Sequence, residues 1–295
     1  TFVSATSSQT SAIRSALPPL PPSPSPNRHP SRVTAALLQR ICSDHEDTAS
    51  NTLLLFEVLL STSREPVFNH LLPPSLIYTC SLSPSTSASS VLRDPVAAAT
   101  SENVAASIAE ATRVQTVQRL RSLFQRERLD PQSVLRIAPT CAVESFRLAC
   151  SAWCTSTVVV SSADLVRSSP AQAQRGELLD TLLRRLRTAF SMQATSLQIL
   201  GRIFVLLAAY PSMRLFTELF DTPYSLLSIL MALSTESERR CNRIANLEEA
   251  VEQMRSGDEV IVKPDIVEFD AVSFLRTREI MSQICFTLAS VLSES

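Results

Sequence analysis

Residues Ser196 to Ser234 read "SLQILGRIFVLLAAYPSMRLFTELFDTPYSLLSILMALS". In the first part, Leu200, Ile203, Phe204 and Leu207 recur at three- and four-residue steps, which is the period of a helix buried on one side. The run Leu197 to Tyr210 is 14 residues long and contains Gln198 and Arg202. A bilayer crossing needs about 20 apolar residues, so this reads as a core helix and not a membrane span. Two further helical runs follow, "PSMRLFTELF" and "PYSLLSILMAL", each opened by a proline, whose missing N–H costs nothing in a first helical turn. Helices joined by turns this short must pack as neighbours.

The same pattern occurs earlier in the chain. Leu55 to Leu72, "LFEVLLSTSREPVFNHLL", aligns without gaps on Ile203 to Phe220, an offset of 203 − 55 = 148. Leu55, Phe56, Val58, Leu59, Val67, Phe68, Leu71 and Leu72 then fall on Ile203, Phe204, Leu206, Leu207, Leu215, Phe216, Leu219 and Phe220. Both segments run from a long apolar helix through a polar break to a shorter helix and a proline-started one. On these residues the chain resembles the armadillo and HEAT class of helical repeats, with "ESFRLACSAWC" to "LLDTLLRRL" a looser copy and "SFLRTREIMSQICFTLASVL" similar to the opening of another. The offset lies between three and four periods of about 40 to 47 residues. Asp221, Thr222 and Pro223 stand where armadillo units commonly carry a glycine before the third helix. The resemblance implies an all-α fold, a right-handed α-solenoid, whose surface binds an extended peptide or a helix of another protein.

Composition agrees with helices. The chain has 295 residues, 45% of them apolar, enough for a continuous core. Only three residues are glycine, Gly176, Gly201 and Gly257, where average usage of about 7% gives roughly twenty. Sheet turns and phosphate-cradling loops need glycine at positive φ, so its scarcity favours helices and short turns. Lys263 is the only lysine, so the arginine bias extends over the whole chain. Net charge is −1, which calls for neither a nucleic acid nor an anionic membrane as partner.

Along the chain, seven of the thirteen residues from Pro18 to Pro30 are proline, so residues 1–31 are expected to be a disordered Ser/Pro-rich segment. Its "ALPPLPP" looks like a ligand for a proline-reading domain. A basic residue three positions before the first proline is missing, since Ser15 and Ala16 hold those places, and a semi-rigid tether fits better. The absence of acids before Asp44, with four arginines among serines and threonines, also resembles an organelle transit peptide.

A helical-repeat domain is expected over 32–295. It starts with Val33, Leu37 and Ile41 on an amphipathic helix and a more deeply buried "NTLLLFEVLL". Asp94 and Pro95 start a long helix to about Leu129, and Asp130 and Pro131 repeat the device. Thr140 caps the next helix, and "STVVVSS" is ambiguous between strand and helix end. Ser169, Pro170 and Gln172 open a helix through Leu179, Leu182, Leu186 and Phe190. An insertion at about 235–270 comprises a charged helix and the extended "EVIVKPDIVEF". A last helix, Ala271 to Leu292, shows Met281, Ile284, Leu288 and Val291 as a face for a further unit or a partner.

No glycine-rich phosphate loop, zinc-protease motif or nucleophile elbow is present, and the three histidines, His29, His45 and His70, lie in separate segments. Cys150 and Cys154 are one turn apart but have no histidine nearby, so the seven cysteines read as core thiols of a reducing intracellular compartment. No enzyme activity and no cofactor is expected. The function read from the sequence is a non-enzymatic scaffold or adaptor for another protein; the alternative is an organelle-located assembly or RNA-associated subunit of a large complex. The candidate partner-binding residues are Arg239, Arg240 and Arg243 with the apolar seam Ile244, Leu247, Val251 and Met254, docking on a partner or on the chain itself.

Overall fold

The computed structural model describes residues 32–77, 95–124, 140–154, 176–256 and 270–294. The elements are α1 (Arg32–Ile41), α2 (Glu46–Ser61), α3 (Glu65–Leu71), α4 (Pro74–Ile77), α5 (Pro95–Ser122), α6 (Thr140–Cys154), α7 (Glu177–Leu186), a 3₁₀ turn (Ala189–Ser191), α8 (Ala194–Ala209), α9 (Met213–Phe220), α10 (Leu226–Cys241), α11 (Leu247–Ser256) and α12 (Ala271–Ser293). The fold is all-α, with no β-strand among the described residues. Residues 1–31, "STVVVSS", Asp130 and Pro131, and "EVIVKPDIVEF" lie outside the described residues.

Cap chemistry fixes several helix starts. Ser212, Ser225 and Asp270 accept the N–H of Leu215, Ser228 and Ser273 at 3.4, 3.2 and 3.0 Å, opening α9, α10 and α12. Gly176 precedes α7 at φ +78°, with Pro73 packed so close that a Cβ would come within 2.6 Å of its ring. Only glycine fits that position without strain.

α8 is the centre of the molecule. It packs against α2, α6 and α12, and α12 in turn packs against α5. Leu197, Leu200, Ile203, Phe204 and Val205 of α8 are completely buried. Gly201 lets α12 come close: a Cβ there would lie 2.6 Å from Cγ1 of Ile284. Met281, Ile284, Leu288 and Val291, anticipated as an open face of the last helix, are therefore buried inside the chain.

The two segments aligned in the sequence are neighbours in space. α2 spans Glu46–Ser61 and α8 spans Ala194–Ala209, so both ends obey the offset 194 − 46 = 148, as do the starts of α3 and α9. The Gln193 N–H donates to Glu46 at 3.2 Å, Ser50 shares a hydrogen bond with Ser196, and Arg202 donates to both oxygens of Glu57 at 2.6 and 3.0 Å. These partners ascend together along the two helices, so α2 and α8 run parallel and nearly in register. α1 likewise packs against α7. The hairpin α1–α2 thus lies on the hairpin α7–α8.

Glu46 ties three elements together, because Arg185 of α7 also donates to it. Burial works to raise its pKa, but the Ser196 and Arg185 hydrogen bonds, the Arg185 charge and the Gln193 N–H outweigh burial and hold the carboxyl below its ordinary range.

Candidate interaction surfaces

The charged stretch after Ser234 is not one helix. Residues up to Cys241 complete α10, and α11 begins only at Leu247. In between, the N–H groups of Arg243 and Ile244 turn back to the carbonyls of Arg240 and Cys241, both at 3.0 Å. The break carries α11 over the start of α12, where Cys241, Ile244, Ala250 and Val251 form a second small core with Ala271, Phe274 and Leu275.

The seven residues singled out in the sequence therefore separate. Ile244 and Val251 are buried in that core, with Leu247 partly buried against it. Arg239 and Arg243 are exposed. Arg240 is buried, its guanidinium 4.7 Å from the centroid of the Phe190 ring and 5.9 Å from that of Phe274. Such cation–π contacts strengthen when water is excluded. Met254 lies in α11, but its side chain is outside the described residues.

Glu236 holds this cluster, accepting from both Arg239 and Arg240 at 2.8 Å. Burial works against its ionised form, but the two guanidinium groups more than compensate, and its pKa falls below the ordinary carboxyl value. Of the two dockings that the sequence left open for the seam, Ile244 and Val251 take the intramolecular one.

A different surface is available to a partner. Leu54, Leu55 and Val58 on α2 are 44%, 42% and 53% exposed, while Leu53, Phe56 and Leu60 of the same helix are fully buried. The run "LLLF" had suggested a deeply buried helix. Four consecutive apolar residues spread over every side of a helix, and a helix with one side in a core must leave some of them outside. That surplus was the available signal for this stripe.

Two further polar side chains among the described residues belong to the core. Cys285 is fully buried, and burial pushes its thiol far above the ordinary range, against thiolate formation. Tyr210 stacks on Phe68 at 5.0 Å and donates to the Ile77 carbonyl at 3.2 Å, a core tyrosine with its hydroxyl satisfied. Among the described residues, no three His, Cys, Asp or Glu side chains converge as metal ligands. No helix searched among them is long and apolar enough to cross a membrane. Comparison with known proteins yields no match, either to a protein-family model or to a curated protein.

Proposed function

We propose that the chain is a non-enzymatic scaffold, a stack of armadillo/HEAT-like hairpins in a right-handed solenoid, that binds a helix or extended peptide of another protein. The observation that carries this reading is the parallel, in-register packing of α2 on α8, elements whose bounds coincide at an offset of 148 residues. Consecutive helices joined by short loops pack antiparallel, whereas equivalent helices of stacked repeats lie parallel. Two features depart from a simple solenoid, whose units touch only their sequence neighbours: α1–α2 lies on α7–α8 although α3 to α6 stand between them in the chain, and α5 and α6 pack back on α12 and α8.

The reading is tested by purifying the tagged full-length protein from its own cells, with and without RNase, and quantifying what accompanies it. A stoichiometric protein partner that survives RNase is the expected result. Recovery of RNA with RNase-sensitive proteins would establish the RNA-associated alternative instead, and recovery of the chain alone would overturn both.

A further inference from the structure

The α2–α8 contact can be described by the side of the helix that each partner uses. From α8, Ser196 and Arg202 make the bonds to α2, and Ile199, Ile203 and Leu206 lie on the same side at helical spacing. From α2, the bonding residues are Glu46, Ser50 and Glu57, a different side. Subtracting 148 carries the α2-facing side of α8 onto Thr48, Asn51, Leu54, Leu55 and Val58 of α2. In the structure Asn51, Leu54, Leu55 and Val58 are exposed. The side of α8 that receives a parallel helix therefore has an exposed counterpart on α2. Among the described residues, no other helix exposes three large aliphatic side chains on one side.

Building on the scaffold reading, we propose that this outer side of α2 is the docking site for an amphipathic helix of another protein, laid along α2 as α2 is laid along α8. The chemistry of the incoming helix follows from the one equivalent position where charge is lost. Arg202, which pairs with Glu57, is replaced by Leu54. A carboxylate on the docking helix would be desolvated there without a partner, so the helix must be aliphatic where α2 itself carries Glu57. The contact is an apolar side with anchors at three- and four-residue spacing.

The probe is a fluorescein-labelled helical peptide of about 18 residues with leucines along one side of an Ala/Glu/Lys background. Its control has the central leucine replaced by glutamate. Anisotropy is measured against the full chain, against Leu55→Glu and Val58→Glu singly and together, and against Leu148→Glu as a distant surface variant. Because Leu55 and Val58 are exposed, circular dichroism should show unchanged folding. The expected result is binding of the leucine peptide that weakens about tenfold or more in the α2 variants, is unaffected by Leu148→Glu, and is weaker by a similar factor for the glutamate peptide. Equal binding by the wild-type and α2-variant chains, or no binding at all, overturns the proposal. So does sedimentation showing a wild-type dimer that Leu55→Glu dissolves, because a second copy then occupies the face. None of these outcomes touches the scaffold reading, which falls only if the full-length protein has no RNase-resistant protein partner.

Discussion

Gly201 shows how one residue sets the spacing of the central helices. In an exposed helix, replacing glycine by alanine gains about 1 kcal/mol. Here the added methyl would meet two carbons of Ile284 at 2.6 and 2.7 Å, and overpacking costs about 1–3 kcal/mol. Gly201→Ala should therefore lower the urea midpoint. In combination with Ile284→Ala the two effects should be less than additive, a coupling of about 0.5 kcal/mol or more. A second prediction concerns protons. Glu46 and Glu236 have folded pKa values below their unfolded ones, so the stability they contribute is fully present above the unfolded carboxyl value of about 4.3 and is lost as pH falls through the depressed folded values. Glu46→Gln should lower stability at pH 7 and flatten its acid decline, read from urea midpoints between neutral and acidic pH. The scarcity of glycine was legible in the sequence and favoured helices. That Gly201 faces Ile284 was not, because no local pattern encodes the partner across a tertiary contact.

At the level of elements, cap and proline chemistry marked some helix bounds and not others. The helix through Leu179 begins at Glu177, after Gly176 at φ +78°, and not at the Ser169–Pro170–Gln172 box; it ends at Leu186, with Phe190 in the 3₁₀ turn, and α5 ends at Ser122 and not near Leu129. Pro95 opens α5 as read from Asp94–Pro95, and Ala271 opens α12 as read, its Asp270 cap being a finding of the structure. The break between α10 and α11 was missed, because Ile244, Leu247 and Val251 keep helical spacing straight through it and only their tertiary partners Phe274 and Phe190 distinguish two helices from one. The end of α12 has a partner equally distant in sequence. Arg147 of α6 donates to the carbonyls of Val291 and Glu294 at 3.0 and 2.9 Å, satisfying acceptors at a helix C-terminus, where positive charge is also favoured. Arg147→Met should cost about 1–2 kcal/mol and speed amide exchange in the last turn of α12, with little change in α2. The Glu57–Arg202 pair between α2 and α8 makes a contrasting case. Arg202→Leu alone leaves a partly buried carboxylate unpaired and should destabilise. Glu57→Leu with Arg202→Leu together should be close to neutral, since a well-packed apolar pair can replace an ion pair.

For the whole molecule, the all-α class and the equivalence of two distant segments could be read from the chain, but the assignment of inside and outside could not. The stretch from about 235 to 270, read from its charge as a projecting insertion, should by that reading be removable with little loss. The structure leads to the opposite expectation. Ser237, Arg240, Cys241, Ile244, Ala250 and Val251 are buried, and they cover Phe274 of α12 and Phe190 of the 3₁₀ turn. Deleting Thr235 to Asp270 would uncover both rings and the start of α12. Exposing the buried Phe274 and Leu275 costs about 1.5–3 kcal/mol each, with less from the partly buried Phe190, and about 2–4 °C of Tm follows each kcal/mol in a chain of this size. The deletion should therefore lower Tm by about 10 °C or more, with aggregation visible by light scattering as the uncovered face associates. Replacing only the exposed Arg239 and Arg243 by serine should shift Tm far less, because surface ion pairs contribute about 0–1 kcal/mol. A deletion variant melting within about a degree of the intact chain would mean that this small core contributes nothing to the fold, and would return the stretch to the role of an insertion free to meet a partner.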